Sequence, residues 1–468
     1  MSYKRHLSGR RTRGLNREGN RSTVVARIIT KLVGWAVSIF YDVERRGPGL
    51  PEGPVLITAN HPNALIDPLV VFQTAGRPSR PLAKAPLFDQ LIVGTALRAL
   101  GGLPVYRKQD DPKLMHLNDR TFDAAIDALH AGSAVQIYPE GQSHSEPSLT
   151  PIRTGAARIA LLAEALRDWE LGLYVQPVGL TYVQKDLFRG RVVATFGPAF
   201  PIDDLREKYE KDERAASRIL TDRIQKHLEA VTLNVEEHED LELVEVADRL
   251  YSRAKRLVGY RERDGIGDRL PGMQVFAEGV RWLRTVDPER LENLKELVRR
   301  YLRLLTLFGA GEGDVPPRYK FWMVVRYSLR QLFILLVVFP LAFLGSVAWL
   351  VPFILTRYVS PRFSLKKDQI ATYKFVIAMM VFPVWWIISC VVVYVFAELQ
   401  LSLLVAAVLP LSGLALVAWH DRQMQVRQDV LVFLRTLRYP SGQDRLAEYR
   451  RELVREFDQL MEAWKENL

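Results

Sequence analysis

Thr58-Ala59-Asn60-His61-Pro62-Asn63-Ala64-Leu65-Ile66-Asp67-Pro68 is the stretch whose reading decides the fold. The run before it, Val55-Leu56-Ile57, has the length and branching of a buried strand. The chain breaks at Asn60-His61-Pro62 and restarts at Asp67-Pro68, which reads as an N-cap followed by proline at the first helical position. A histidine and a carboxylate thus flank one connection just past the C-terminal end of a strand, where open α/β sheets place their ligand sites. Taken alone, Asp67 is better explained as a helix cap and His61 as a satisfied loop histidine.

Other stretches repeat the logic. Ala134-Val135-Gln136-Ile137-Tyr138 is an apolar run ending in Pro139-Glu140-Gly141-Gln142-Ser143-His144, again a carboxylate and a glycine beyond a strand. Between the two units, Gly101-Gly102-Leu103-Pro104-Val105-Tyr106-Arg107 ends a short strand on an arginine. Arg153-Thr154-Gly155 and Val175-Gln176-Pro177-Val178 follow. In this order the pieces resemble the four signature blocks of the phospholipid/glycerol acyltransferase superfamily, whose members include the lysophosphatidate and glycerol-3-phosphate acyltransferases. Those blocks read His-x4-Asp, a stretch ending in Arg, Phe-Pro-Glu-Gly and Val-x-Pro-Val. The likeness covers roughly residues 45–205.

Five residues, Pro62 to Ile66, separate His61 from Asp67 where most of the superfamily has four. On a regular helix that offset would turn the two side chains roughly 240° apart, so the connection is expected to be a non-helical loop or to carry a bulge. The fungal glycerol-3-phosphate/dihydroxyacetone-phosphate acyltransferases are similar in having the longer spacing. In the third block Tyr138 replaces Phe and Gln142-Ser143-His144 replaces Thr-Arg-Ser, while Glu140 and Gly141 are kept.

The expected fold class is α/β: an acyltransferase domain with a central mixed sheet flanked by helices, then an α-helical region and a C-terminal membrane helical hairpin. At 468 residues, two or three units are expected. Residues 1–22 read as a basic disordered tail suited to anionic membrane lipids or simply solvated. Residues 23–45 read as an interfacial amphipathic helix, with Arg27, Lys31, Gly34 and Ser38 on one stripe, and no signal-peptide cleavage site follows. Residues 46–205 form the acyltransferase domain, and 206–320 a charged helical region. There Asp287 caps a helix begun by Pro288, and Leu291, Leu294, Val298, Tyr301, Leu305 and Phe308 form its packing face. Residues 321–420 form the membrane region (332–355, 375–397 and 401–419), each segment near the roughly 20 residues a span needs. Residues 421–468 are amphipathic C-terminal helices, with Leu446, Tyr449, Leu453, Phe457, Leu460 and Trp464 on one face.

Basic residues flank Leu332–Leu355 on both sides. If such flanks stay cytoplasmic, this segment, interrupted by Pro340 and Gly345, dips in and returns. A third full span, placing the C-terminal tail outside, stays open. The expected location is the cytoplasmic (inner) membrane, with the catalytic domain facing the cytoplasm. The single Cys390 excludes an intramolecular disulfide and fits a reducing compartment. The charge, 64 Lys+Arg against 53 Asp+Glu, suits an anionic membrane; no zinc-finger or ribonucleoprotein motif points to nucleic acid.

Esterification needs an acceptor hydroxyl made nucleophilic and a thioester carbonyl whose oxyanion is stabilised. Histidine titrates in the useful range, so His61 is the candidate general base and Asp67 the group that holds its tautomer and offsets its charge. No Gly-x-Ser-x-Gly elbow is present, which argues against a covalent serine intermediate. The resemblance implies that Arg107, then Arg153, meets the acceptor's phosphate and that Glu140 and Gly141 shape the acceptor site. Against this, Arg107 pairing with Asp110 or Asp111, and a solvated His144, stay open. No metal site and no cofactor are expected. The implied partners are an acyl-CoA or acyl-carrier protein donor and a phosphorylated glycerol or lysolipid acceptor, glycerol-3-phosphate or 1-acylglycerol-3-phosphate. An acyltransferase for another lysolipid or amine acceptor, and a non-catalytic lipid-binding scaffold, are the alternatives.

Overall fold

The structure, a computed structural model, describes residues 34–106, 118–183, 190–255, 266–308, 321–363, 370–438 and 440–466. It divides into two compact units, Met1–His144 with Pro151–Thr232, and Ser145–Thr150 with Leu233–Leu468.

The first unit is an α/β layer around one eight-stranded sheet. Its elements are α1 (residues 34–40), β1 (Tyr41–Arg46), β2 (Val55–Ala59), α2 (Ile66–Thr74), β3 (Ser79–Lys84), α3 (Ala85–Phe88), α4 (Leu91–Ala99), β4 (Leu103–Val105), α5 (Asn118–His130), β5 (Ala134–Ile137), α6 (Gly155–Ala165), β6 (Tyr174–Val183), β7 (Gly190–Phe196), β8 (Phe200–Pro201), α7 (Arg206–Lys211) and α8 (Glu213–Glu229). The strand order is β1-β7-β6-β2-β5-β3-β4, with β8 on β6. β6 runs antiparallel to β7 and β8, and the other neighbours are parallel, so the sheet is mixed. The central strand β2 is buried along its whole length, as expected for a parallel strand covered on both faces.

Two boundaries differ from the sequence reading. The sheet begins at Tyr41, not at residue 46: Tyr41–Arg46 pairs with β7 as an edge strand, and α1 buries Ala36 and Val37. Residues 41–45 are therefore strand rather than the end of a helix, while residues 34–40 are helical as expected; residues 1–33 lie outside the described residues. At the other end the unit continues past residue 205 through α8. Asp212 caps α8 by accepting from the backbone N–H groups of Arg214 and Ala215, both at 3.0 Å. The face Ala216, Leu220, Ile224 and Leu228 is buried, and that stripe ties the helix to the sheet unit.

The second unit is helical: α9 (His238–Lys255), α10 (Ile266–Val286), α11 (Pro288–Phe308), α12 (Phe321–Ala348), α13 (Leu350–Phe363), α14 (Ile370–Phe396), α15 (Leu399–Arg438) and α16 (Pro440–Glu466). Asp287 does cap α11, accepting from the N–H of Arg290 at 3.0 Å. Leu291, Leu294, Val298, Tyr301 and Leu305 share a core with Leu446, Leu453 and Phe457 of α16. Among the described residues three helices are long and apolar enough to cross a membrane: Val325–Ala348, Tyr373–Phe396 and Leu399–Met424. The expected interruption at Pro340 and Gly345 is not there. α12 runs through both residues, and the helix breaks at Trp349 instead. Gly345 serves close packing, since a Cβ on it would lie 2.3 Å from the Ser412 carbonyl oxygen. The helix that carries the third apolar stretch runs on beyond it, as α15, to Arg438.

Candidate active site

β2 and β5 are neighbours in parallel register, Thr58 opposite Ile137, so both deliver their C-terminal loops to the same edge of the sheet. Their outgoing connections then part, one to β3 and one to β6, which is the arrangement that opens a ligand crevice. This pairing brings together residues 79 positions apart: the backbone N–H of His61 donates to Glu140 Oε1 at 2.7 Å.

The loop from Asn60 to Leu65 is non-helical, as the spacing predicts. Its path requires Ala64 at φ +38°, a left-handed conformation that costs a non-glycine residue about 1–2 kcal/mol. The helix starts one residue before Asp67, so this carboxylate sits inside the first turn rather than at the N-cap. Asp67 is fully buried. Its Oδ2 accepts from the backbone N–H of Asn63 at 2.7 Å and from His61 Nδ1 at 2.8 Å, and its Oδ1 accepts the Tyr182 hydroxyl at 2.7 Å. With Nδ1 as donor, His61 Nε2 is the acceptor nitrogen, and it has no hydrogen-bond partner among the described residues. The imidazole side chain is 16% exposed and stacks on the Tyr138 ring at 4.3 Å. A fixed ring with one free acceptor nitrogen near solvent can take a proton from a bound hydroxyl.

Burial, then the nearby Asp67 charge, pushes the Tyr182 and Tyr138 phenols well up. Tyr182 therefore stays protonated near neutral pH and remains a donor to Asp67. Asn60 anchors the loop from the other side: its amide donates to the Leu180 carbonyl at 3.1 Å and accepts the Leu180 N–H at 2.7 Å. That pair extends the β2–β6 ladder past Ala59, the last paired residue of β2.

Glu140 is buried and Gly141 closes the turn, donating its N–H to the Tyr138 carbonyl at 3.0 Å with Pro139 in second place. Glu140 Oε2 contacts His144 Nε2, and the His144 N–H donates to the His61 carbonyl at 3.1 Å. Glu140 and His144 thereby clamp the backbone of His61 from both sides. His144 is not a merely solvated loop histidine; its side chain is 12% exposed. Gly141 has φ +77°, and a Cβ there would stand 3.0 Å from Arg153 Nε. Glycine is needed on both counts, for the backbone conformation and for the close approach of the guanidinium. Arg153 is exposed and forms no ion pair among the described residues.

His61, Asp67, Glu140, Gly141 and Arg153 thus gather at one edge of the sheet, while Arg107 lies outside the described residues. Tyr182, Asn60 and the clamping role of His144 have no local signal in the sequence, because each depends on strand neighbours. Among the described residues no three His, Cys, Asp or Glu side chains gather as a metal site.

Comparison with known proteins places this site in context. The family model described as Acyltransferase matches residues 42–181. A protein of Saccharomyces cerevisiae named glycerol-3-phosphate O-acyltransferase 2 is 29% identical over 299 residues, covering 60% of this chain and 39% of its own length. The same yeast's glycerol-3-phosphate O-acyltransferase 1 is 32% identical over 133 residues, covering 28% of this chain and 17% of its own. The chain therefore spans less than half the length of these relatives. A crystal structure of the 1-acyl-sn-glycerophosphate (LPA) acyltransferase PlsC from Thermotoga maritima aligns at TM-score 0.34 and 18% identity, over 46% of this chain and 85% of that one.

Proposed function

From the match of residues 42–181 to the family model described as Acyltransferase, we propose that this chain is a membrane-bound glycerolipid O-acyltransferase. It moves a fatty acyl group from acyl-CoA or acyl-carrier protein to a hydroxyl of glycerol-3-phosphate, working from the cytoplasmic side of a membrane. The observation that carries the reading is the His61 imidazole, whose Nδ1 is held by the buried Asp67 and whose Nε2 is left free to accept a proton.

In this mechanism the acceptor O–H gives its proton to His61 Nε2 as the oxygen attacks the thioester carbonyl carbon. The resulting oxyanion collapses and expels the thiolate, which takes the proton back from the imidazolium. Asp67 offsets the positive charge that the ring carries between those steps, and the Tyr182 and Asn63 donors keep Asp67 in place. Glu140 and His144 hold the His61 backbone. Arg153, and Arg107 by family likeness, meet the acceptor phosphate as charge-assisted donors. The names of the two yeast relatives, together with the longer His61–Asp67 spacing, favour glycerol-3-phosphate over lysophosphatidate. A membrane site suits the product, since each methylene moved through water costs about 0.8 kcal/mol.

The test is acyl transfer by the full chain in lipid or detergent. Radiolabelled oleoyl-CoA is offered with glycerol-3-phosphate and, separately, with lysophosphatidate, and acyl-carrier protein donors are run in parallel. Wild type is expected to label glycerol-3-phosphate, with His61→Ala slower by roughly 10²–10⁴-fold. Turnover of lysophosphatidate alone would reassign the acceptor, equal turnover in both proteins would remove His61 as the base, and only background in both with every donor and acceptor would point to a non-catalytic lipid-binding scaffold.

A further inference from the structure

We propose that α12 and α13 form a re-entrant wedge in one leaflet of a phospholipid bilayer, turning at Trp349 in the midplane, while only α14 and α15 cross the membrane. The inference rests on the membrane reading above and adds its geometry.

Contacts between the helices fix how far each extends along its neighbours. Gln331 accepts from Arg422, the Leu335 carbonyl accepts the Trp419 indole N–H, Gly345 lies against the Ser412 carbonyl, and the Trp349 indole N–H reaches the Leu409 carbonyl. α12 and α15 are therefore antiparallel, with Trp349 level with Leu409. The Trp386 indole bonds the Ala406 carbonyl and Ser402 Oγ bonds the Cys390 carbonyl, which aligns α14 against α15. The Trp385 indole bonds the Ala348 carbonyl and Trp349 stacks on Phe382 at 5.4 Å. The end of α12 is thus level with residues 382–385 and with residue 409. Those positions are the middles of the apolar stretches Tyr373–Phe396 and Leu399–Met424. α12 stops at half depth.

A complete crossing by α12 fails on the same register. A hydrocarbon slab about 30 Å thick, roughly 20 residues of helix, measured back from Ala348 reaches Leu329. On the neighbouring helices that slab would enclose Lys374, His420, Asp421 and Arg422, and it would leave the apolar run Ile388–Phe396 outside. Burying that many ionisable groups in lipid while wetting an apolar run is the reverse of what a bilayer favours.

The direction of α13 follows from chain reach. α13 packs along α14, and α12 along α15. Phe363 and Ile370 are seven residues apart, which spans at most about 25 Å. Were α13 to continue toward the Phe396 end, its length of about 20 Å would leave Phe363 about 40 Å from Ile370. Only a return toward the Ile370 end closes the chain. The charges agree: Arg326, Arg330, Arg357, Arg362, Lys374, Arg422 and Arg427 then share one end of the bundle, and Glu398 is the one charge between Phe375 and Trp419, at the other. Leu350, Val351, Phe353, Ile354 and Leu355 of α13 are 42–56% exposed, and these side chains face the acyl tails of that leaflet.

The full chain is reconstituted in phosphatidylcholine/phosphatidylglycerol vesicles as Cys390→Ser, carrying single exposed cysteines at Arg326, Arg362, Glu398 or Arg427. A membrane-impermeant maleimide is expected to label Arg326→Cys, Arg362→Cys and Arg427→Cys from one side and Glu398→Cys from the other. Arg326→Cys and Arg427→Cys on opposite sides, or Arg362→Cys on the side of Glu398→Cys, overturns the wedge. A spin label at Val351→Cys gives an independent reading: mid-bilayer oxygen exposure supports the proposal, and headgroup depth overturns it. Protein that does not float with the vesicles overturns the membrane reading itself, and the wedge with it.

Discussion

The sheet unit and the apolar helices of the second unit solve the burial problem in opposite senses. In the sheet unit apolar side chains point inward, and Val55, Leu56, Ile57, Val135 and Val175 are sealed from solvent around a few buried polar groups such as Asp67 and Glu140. In α12–α15 the large apolar side chains point outward: Phe333, Leu336, Phe343, Ile387, Val395 and Leu403 are 56–68% exposed. Their inner contacts are made by Gly345, Gly413 and Ser412 and by tryptophan N–H groups reaching backbone carbonyls. Where water is the solvent, expulsion of apolar surface drives assembly. Where lipid is the solvent, close approach of small residues and satisfied polar groups must do so.

Three substitutions probe that contrast. Asp67→Asn keeps the shape of the buried group but removes the charge that balances the imidazolium. Acyl transfer is expected to fall by roughly 10²–10⁴-fold with a near-native far-ultraviolet circular dichroism spectrum; unchanged turnover would refute the role given to Asp67. Gly345→Leu forces side-chain atoms into the space beside the Ser412 carbonyl, whereas Gly279 of α10 has nothing within 4 Å of its Cβ position. The first is expected to cost about 1–3 kcal/mol in thermal unfolding of the detergent-solubilised protein. Gly279→Ala is expected to be neutral or stabilising. If both glycines respond alike, close packing is not what holds α12 to α15.

The smallest effect concerns the water-facing part of the second unit. Hydrogen bonds from Lys295 and then Arg284 pull the Glu237 carboxyl down from 4.5 to about 2. A carboxyl lowered by folding stabilises above its ordinary range, and that stabilisation is lost as pH falls from about 4.5 toward 2. Glu237→Gln is therefore expected to show a smaller drop in melting temperature between pH 6 and pH 3 than wild type. The difference is modest because Glu237 is half exposed.

Legibility followed the same division. β2 and β5 are readable because strands covered on both faces are apolar runs. β1 (YDVERR) and β3 (SRPLAK) are not, since charge and proline mask their periodicity and their pairing comes from distant strands. In the membrane region, length and hydropathy are legible. The break at Trp349 is not, because Pro340 and Gly345 are stronger breakers locally and their effect is overridden by packing on α15.

By itself the sequence determined the α/β layer and the apolar helices, because hydrophobic period is a local property, and it marked His61 and Asp67 by their chemistry, and Glu140, Gly141 and Arg153 by family likeness, as candidate site residues. The tertiary structure decided which of them meet. Parallel pairing of β2 with β5 set Glu140 and His144 on the His61 backbone, and pairing of β2 with β6 gave Asp67 its Tyr182 donor. The helix register decided that α12 ends halfway along its neighbours. Contacts between residues tens of positions apart are set by strand order and helix packing, which no local pattern encodes.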